Sequence, residues 1–366
     1  MRRNSMRNEI GSEFEIEWPP LRMSGAEIGV HRIFNLLGED GVLLLSGRTA
    51  IDRICKDILS LGRVGCVYMP AYCCSSMITP FIKNGFSIEF YDIGFDGEKM
   101  TYYVIGDKNI DILYLNNYFG FKTFVDIEWI RGKQEEGSIV IYDKTHSLFL
   151  QNDPYMEVAD YVFCSLRKWF GVASGAILHK KGGDLIDLAL RECNYVQAKF
   201  NAQILKAQYL TGDESVRKDT FYSVFAEFSH QLEEDYADYK MDDKSILLLK
   251  SMDFMELMDR RRRNAELLYT ELRDVGWLKF LFGSMGDGVV PLFVPVIIET
   301  PELRDKLRNM LITRQIYCPI HWPKDTMIAP HMEVNRIYDR EISLICDQRY
   351  TPNQISGIVQ TIKELK

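Results

Sequence analysis

From about residue 42 onward, short apolar runs alternate with segments whose apolar residues recur at helical spacing, and Gly, Asn, Asp or Lys marks most of the boundaries. A chain patterned in this way builds βαβ units, in which a mostly parallel sheet is covered on both faces by helices. The pattern predicts strands over 64–69, 87–91, 111–116, 138–142, 161–164 and 176–179. Helices are predicted over 50–61, where Ile51, Ile54, Ile58 and Leu61 fall on one face, and over 184–210 and 244–272, which lack Pro and Gly. The pattern then restarts, with strands expected over 291–298, 315–319 and 341–346 and helices over 301–313 and 352–365. At 366 residues the chain exceeds what one core comfortably organises. The expected division is an N-terminal segment, 1–35, packing on the body or a partner, a large α/β domain, 36–243, and a linking helix with a smaller C-terminal α/β domain, 244–366.

Several classes of function are disfavoured. The net charge of −8 argues against generic binding to nucleic-acid backbones, while leaving room for a local basic pocket. The longest apolar stretch, 289–298, is interrupted by Pro291 and Pro295 and falls well short of the roughly 20 residues of a membrane span. The basic beginning, Met1-Arg2-Arg3, is followed by no apolar run of the secretory kind, so the expected location is the cytoplasm. The eight cysteines sit mostly in apolar stretches and form no Cys-x-x-Cys pair, which predicts reduced, buried thiols and no metal site. Near the start, Glu17-Trp18-Pro19-Pro20 reads as extended chain. The basic run 260–263 lies among Asp253, Glu256, Asp259 and Glu266, a pattern expected of a solvated helix face with i,i+4 pairs.

Three segments carry candidate chemistry. Ser46-Gly47-Arg48-Thr49 opens a helix, where free backbone N–H groups and the helix dipole suit a phosphate, as they would at any helix start. The apolar run 139–142 delivers Asp143 to a strand end, with His146 three residues on. Ligands of open α/β sheets bind at such ends, although turns and caps use the same residues. The apolar run 161–164 ends at Ser165 and Lys168, with Arg167 adjacent. Burial and like charge disfavour an ammonium there, which suits Schiff-base chemistry; a snorkelling surface lysine is the alternative.

In this order, with 25 residues between Asp143 and Lys168, these segments resemble the fold-type I pyridoxal-phosphate (PLP) enzymes, and within them the DegT-type sugar aminotransferases. The resemblance extends from about residue 36 to 365 and includes Tyr68-Met69-Pro70-Ala71-Tyr72 and Asn117-Tyr118-Phe119-Gly120. It implies that Lys168 forms the Schiff base and shuttles a proton, that Asp143 pairs with the cofactor's ring nitrogen, and that His146 hydrogen-bonds its phenolic oxygen, with Asn117 toward the same edge. Gly47, Ser165 and the backbone N–H groups of Arg48 and Thr49 would hold the phosphate. A homodimer is implied as well.

Departures from the family pattern are concentrated near the lysine. The family's serine lies five residues before it, where this chain has Phe163, and Trp169-Phe170 replace a glycine-rich run. Cys74 stands where an aromatic ring stacks on the cofactor, leaving Tyr72 as the nearest candidate for stacking or plain packing. Cys73 and Cys74 are expected to be small core residues. In the C-terminal part, His321 and Arg349 fall just beyond expected strands as candidate substrate contacts. Arg349 suits either the carboxylate of an amino-acid donor or a salt bridge with Asp347. The implied function is transfer of an amino group from an amino acid, glutamate first among donors, to a nucleotide-linked keto-sugar in polysaccharide biosynthesis. A PLP-dependent lyase or aldolase, or a PLP-binding scaffold without turnover, are the alternatives.

Overall fold

The structure is a computed structural model that describes residues 7–18, 34, 37, 40–106, 108–123, 126–329 and 331–365. Pro19 and Pro20 of the expected extended segment lie outside the described residues.

Eight strands form the main sheet: β2 (Val42–Leu44), β3 (Cys66–Pro70), β4 (Ser87–Phe95), β5 (Met100–Tyr103), β6 (Ile112–Asn116), β7 (Ile139–Asp143), β8 (Tyr161–Cys164) and β9 (Ala176–Lys180). Their spatial order is β2-β9-β8-β7-β6-β3-β4-β5, with β8, β7, β6, β3 and β4 parallel and antiparallel strands at both edges. Side chains of the central strands are divided between two cores. Leu113, Leu115, Val140 and Tyr142 enter one, while Ile112, Tyr114, Ile139 and Ile141 enter the other. A strand buried on both faces reads as a continuous apolar run, which is why the middle of the sheet was the most legible part of the sequence.

The strand order reverses between β3 and β6, because β3 to β4 proceeds one way and β6 to β8 the other. Such a reversal opens a crevice at the carboxyl ends of the strands. The helix Gly47–Ser60 borders it, burying Ile51, Ile54 and Ile58, each contributing about 1.5–3 kcal/mol. This helix begins earlier than its apolar spacing suggested, because Ser46 caps it, and Leu61 ends it exposed.

Further along, the expected helix 184–210 forms only as Val196–Leu210, and Arg191 instead bridges Tyr239. The helix Lys218–Glu234 was missed. The expected helix 244–272 is two, Asp243–Ser251 and Phe254–Leu272, because Asp253 accepts the N–H groups of Met255 and Glu256 and caps the second. Phe254 and Leu257 pack into the large core, whereas Ala265, Leu268 and Leu272 pack into a second core. That second core covers an antiparallel sheet of β10 (Leu278–Phe280), β11 (Val294–Ile298) and β13 (Glu341–Leu344), flanked by the helices Pro301–Thr313 and Pro352–Lys363.

The basic run departs from its expected role. Arg260 pairs with Glu256 at the surface, but Arg261 is fully buried. It donates to the carbonyls of Pro291 and Leu292 at 3.1 and 2.9 Å and to Gln348 Oε1 at 2.7 Å, with its guanidinium 4.7 Å from the Trp169 ring centre.

Residues 7–18 cross the molecule as a strap. β1 (Ile10–Gly11) pairs in parallel with β12 (Ile316–Tyr317). Glu9 is buried against Lys218 at 2.6 Å, and Trp18 meets Phe200 edge-on. No helix among the described residues is long and apolar enough to cross a membrane, and no cluster among them could hold a metal ion.

Candidate active site

The ends of β6, β7 and β8 meet the start of the helix Gly47–Ser60 in one cleft. Register places Asn116 beside Asp143 and Asp143 beside Phe163. Asp143 is held on both oxygens: Oδ2 accepts the Tyr114 hydroxyl at 2.7 Å and Oδ1 the Thr145 N–H at 2.8 Å. Burial raises its carboxyl above the ordinary range, against the pull of those hydrogen bonds and of the Lys168 charge. Thr145 also ties the next strand end into place, accepting the Ser165 N–H at 3.0 Å on its hydroxyl and the Trp169 indole N–H at 2.7 Å on its carbonyl.

Lys168 ends a single 3₁₀ turn, Leu166–Lys168. Its side chain is exposed within the cleft, not buried as its apolar approach suggested, and its ammonium has no hydrogen bond or ion pair among the described residues. Trp169 and Phe170, which replace a flexible glycine run, anchor the turn from beneath by packing on Phe149, and Gln348 donates to the Trp169 carbonyl at 2.8 Å.

Two cavities of about 310 Å³ each share Glu13, His146, Arg167 and Lys168. The inner lobe is lined by Gly47, Arg48, Asn116, Asp143, Ser165 and Trp322. A Cβ on Gly47 would lie 3.3 Å from Ser165 Cβ, so the helix start approaches the β8 end closely enough that a larger residue at 47 would push the two apart by a few tenths of an ångström. The outer lobe lies under the strap and is lined by Arg261, Phe293, His321, Asp347 and Arg349.

His146 is buried where the lobes meet. Its Nδ1 faces the Phe119 N–H at 3.5 Å, and its ring contacts Phe119, His321 and Trp322 at 5.1–5.6 Å. Burial, reinforced by the Lys168 charge, lowers its pKa to about 3, so the imidazole is neutral.

Two expected contacts, Thr49 and Asn117, need correction, and two others resolve to the second of their expected roles, Tyr72 to packing and Arg349 to the salt bridge with Asp347. The Thr49 N–H donates to Ser46 Oγ at 3.3 Å and its hydroxyl to the Tyr236 carbonyl, so Thr49 belongs to the helix cap; the N–H groups of Gly47 and Arg48 are the ones without an acceptor among the described residues. Tyr72 is fully buried among Tyr118, Trp322 and Tyr338, outside both lobes, and Trp322 is the aromatic wall of the inner lobe. Asn117 reaches the cleft, but its amide is committed to Tyr142 at 2.9 Å and to Thr123 at 2.6 and 2.9 Å. The neighbouring Asn116 is the one with a buried, unpartnered side-chain oxygen. Arg349 faces the outer lobe but pairs with both oxygens of Asp347 at 2.9 and 3.0 Å and with Glu15 at 3.2 Å, leaving no fork for a substrate carboxylate. Cys73 is a core residue as expected, whereas Cys74 lines the inner lobe.

Sequence reasoning missed Asn116, Trp322, Arg167 as a site residue, and Glu13. Asn116 was findable as the last residue of a buried strand. Glu13 was not, because its place depends on the strap, and it lies 3.3 Å from Lys199, a buried amine lowered to about 8.

No family model matches the sequence, and no curated relative matches it. Solved structures do. The sugar aminotransferase CalS13 from Micromonospora echinospora superposes with a TM-score of 0.63 at 13% identity, over 98% of this chain and 99% of that one. Spr1654 from Streptococcus pneumoniae, in its PLP form, gives 0.65 at 14%, over 97% and 93%. DesI, solved in the presence of its TDP-sugar product, gives 0.62 at 16%, over 92% and 83%. This chain has the fold of the sugar aminotransferases. Within that fold, the cleft between strand ends and strap is the candidate site.

Proposed function

We propose that the chain is a PLP-dependent aminotransferase that moves an amino group from an amino acid, glutamate first among donors, to a nucleotide-linked keto-sugar. The observation that carries this reading is Lys168: an unpaired ammonium standing between two lobes, with a buried carboxylate at one strand end and a helix start opening onto the same lobe. The residues fit the cofactor. Free N–H groups at Gly47 and Arg48 and the Ser165 hydroxyl would hold the phosphate. Asp143, fixed by Tyr114 and Thr145, would face the ring nitrogen, and the unpartnered Asn116 oxygen lies alongside it. When bound, PLP supplies a ring that accepts the electrons of a carbanion at the donor's Cα.

The chain's own groups supply the remainder. Lys168 holds the cofactor and, once displaced, carries the proton that leaves Cα. His146, neutral across the physiological range, takes part as a hydrogen-bonding partner without adding a second cation. Arg167 faces both lobes and has a buried, unpartnered Nε, which makes it a better candidate than Arg349 for a substrate anion. The outer lobe, which shares Lys168 with the inner one, would seat first the amino donor and then the sugar. That the fold is shared with enzymes of sugars supports the acceptor class. The proposal includes a cytoplasmic homodimer serving polysaccharide biosynthesis.

The test is the visible spectrum of the purified protein with PLP, followed by borohydride reduction and peptide mapping. An adduct on Lys168, and 2-oxoglutarate released from glutamate without an acceptor, is the expected result. Absence of any adduct removes the enzymatic reading.

A further inference from the structure

β13 presents two faces. Ile342 and Leu344 enter the small core, so Glu341 and Ser343, at the alternate positions, point the other way, toward the loop carrying His321. Both polar residues are fully buried, and Ser343 N–H fixes the loop by donating to the Pro319 carbonyl at 2.9 Å. Glu341 Oε2 accepts the His321 backbone N–H at 2.8 Å. Glu341 Oε1 lies 2.5 Å from Ser343 Oγ, which lies 2.9 Å from His321 Nδ1. The His321 ring closes one wall of the outer lobe, and its Nε2 has no partner among the described residues.

A serine hydroxyl has one proton, so this chain can run in only two directions. With Glu341 ionised, Ser343 donates to it and accepts from Nδ1–H, leaving Nε2 an acceptor. With Glu341 protonated, the carboxyl donates to Ser343, Ser343 donates to Nδ1, and Nε2 carries the proton. Passing between the two needs one proton taken up at Nε2, one passed from Nδ1 to Ser343, and one passed from Ser343 to Glu341. The imidazole is neutral at both ends of the transfer.

We propose that Glu341, Ser343 and His321 form a proton relay that stores a proton from the cavity on Glu341, and so sets whether His321 meets a ligand as donor or acceptor. In the donor form Nε2–H fits a carbonyl or carboxylate oxygen, and in the acceptor form it fits a hydroxyl or ammonium. The substrate consequence rests on the aminotransferase reading; the relay does not. Burial pushes Glu341 up to about 8, against the pull of Ser343, the His321 N–H and the Arg304 guanidinium. Tyr72 and Cys318 also lie within its field, each held protonated by burial. Across the cavity, burial together with His146 and Lys168 keeps His321 far below its ordinary pKa. The ring therefore stays neutral while its tautomer changes.

The experiment is ¹⁵N spectroscopy of the histidine-labelled, PLP-treated full chain, with His321 assigned by loss of its signals in His321→Gln. The wild type is expected to show a pyridine-type Nδ1 at pH 6 that becomes pyrrole-type by pH 9.5, the tautomer ratio changing about tenfold per pH unit near the midpoint. Glu341→Gln should stay pyridine-type throughout, since its amide accepts from His321 N–H and donates to Ser343 at every pH. Ser343→Ala should lose the switch, and it provides a second arm if the Gln variant does not fold. A wild-type tautomer that is the same at both pH values would overturn the relay. A tautomer that switches in a protein forming no adduct on Lys168 would uphold the relay while removing the aminotransferase reading.

Discussion

The inner and outer lobes of the cleft share four residues and are built in opposite ways. The inner lobe is made of element ends and turns: two helix starts, those of Gly47–Ser60 and Ser75–Lys83, three strand termini and a 3₁₀ turn, drawn mainly from residues 47–168. It leaves polar groups open, including the N–H groups of Gly47 and Arg48, the Asn116 oxygen and the Lys168 ammonium. The outer lobe is assembled from the strap, a buried helix position and the small domain, across as many as 338 positions between Gly11 and Arg349. Its charges are largely committed to one another, Arg349 to Asp347 and Glu15, and Arg261 to carbonyls and Gln348. Buried polar groups are ordinarily satisfied, so open ones mark a place for a ligand and committed ones mark structure. On that distinction, substitutions of the open groups of the inner lobe should cost chemistry and leave stability alone, and those of the committed charges of the outer lobe should do the reverse.

Lys168→Ala is the sharpest way to break the comparison. With its side chain exposed and unpaired, the substitution should change unfolding free energy by no more than about 0.5 kcal/mol. Turnover should fall by roughly 10³-fold or more, and the borohydride-trapped adduct should vanish. Parallel thermal melts and half-reaction rates check both; a variant that unfolds early would place Lys168 among the structural groups.

Arg261→Met applies the opposite test. It removes the donor to two buried carbonyls while roughly keeping side-chain volume, and leaving such groups unsatisfied costs about 1–3 kcal/mol each. We expect a loss of about 3 kcal/mol in chemical denaturation, with the Lys168 adduct still forming in the protein that remains folded. Loss of the adduct without loss of stability would move Arg261 into the ligand-binding set.

The same contrast explains what could be read from the sequence. Asp143, Ser165 and Lys168 were visible because each ends or closely follows a strand buried on both faces, and such strands announce themselves as apolar runs. Thr49 was misread because a helix start looks alike whether its N–H groups are free or capped by its own serine, as Ser46 does here. Tyr72 stayed open between stacking and packing because spacing from Pro70 says nothing of which way a ring turns. The Asp347 pair of Arg349 was legible because it lies two residues away, whereas Arg261 depended on partners far away in sequence, and a basic run on a helix carries no sign that one of its four members is buried. Local geometry leaves a pattern in the order of residues; long-range charge pairing does not.

Glu13→Gln should have the smallest effect, and a pH-dependent one. Lys199, then Arg167 and Lys168, hold the Glu13 carboxyl down at about 2 against burial, below the ordinary 4.5. A carboxyl lowered by folding contributes stability that is present above its unfolded pKa and lost as pH falls toward the folded one. The wild-type melting temperature should therefore decline between pH 4.5 and pH 2 in part through this group, and Glu13→Gln should decline less steeply. At neutral pH the cost should be at most about 1 kcal/mol, because the carboxylate is nearly half exposed to the cavity and the surrounding water screens the pair. Removing Glu13 also withdraws the anion that supports the Lys199 charge, so that amine should fall below about 8. If the slope below pH 4.5 were the same in both proteins, the strap would be held by its other contacts, among them Glu9 with Lys218, Glu15 with Arg349, Trp18 with Phe200 and the β1–β12 pairing, and Glu13 would belong with the open groups of the inner lobe.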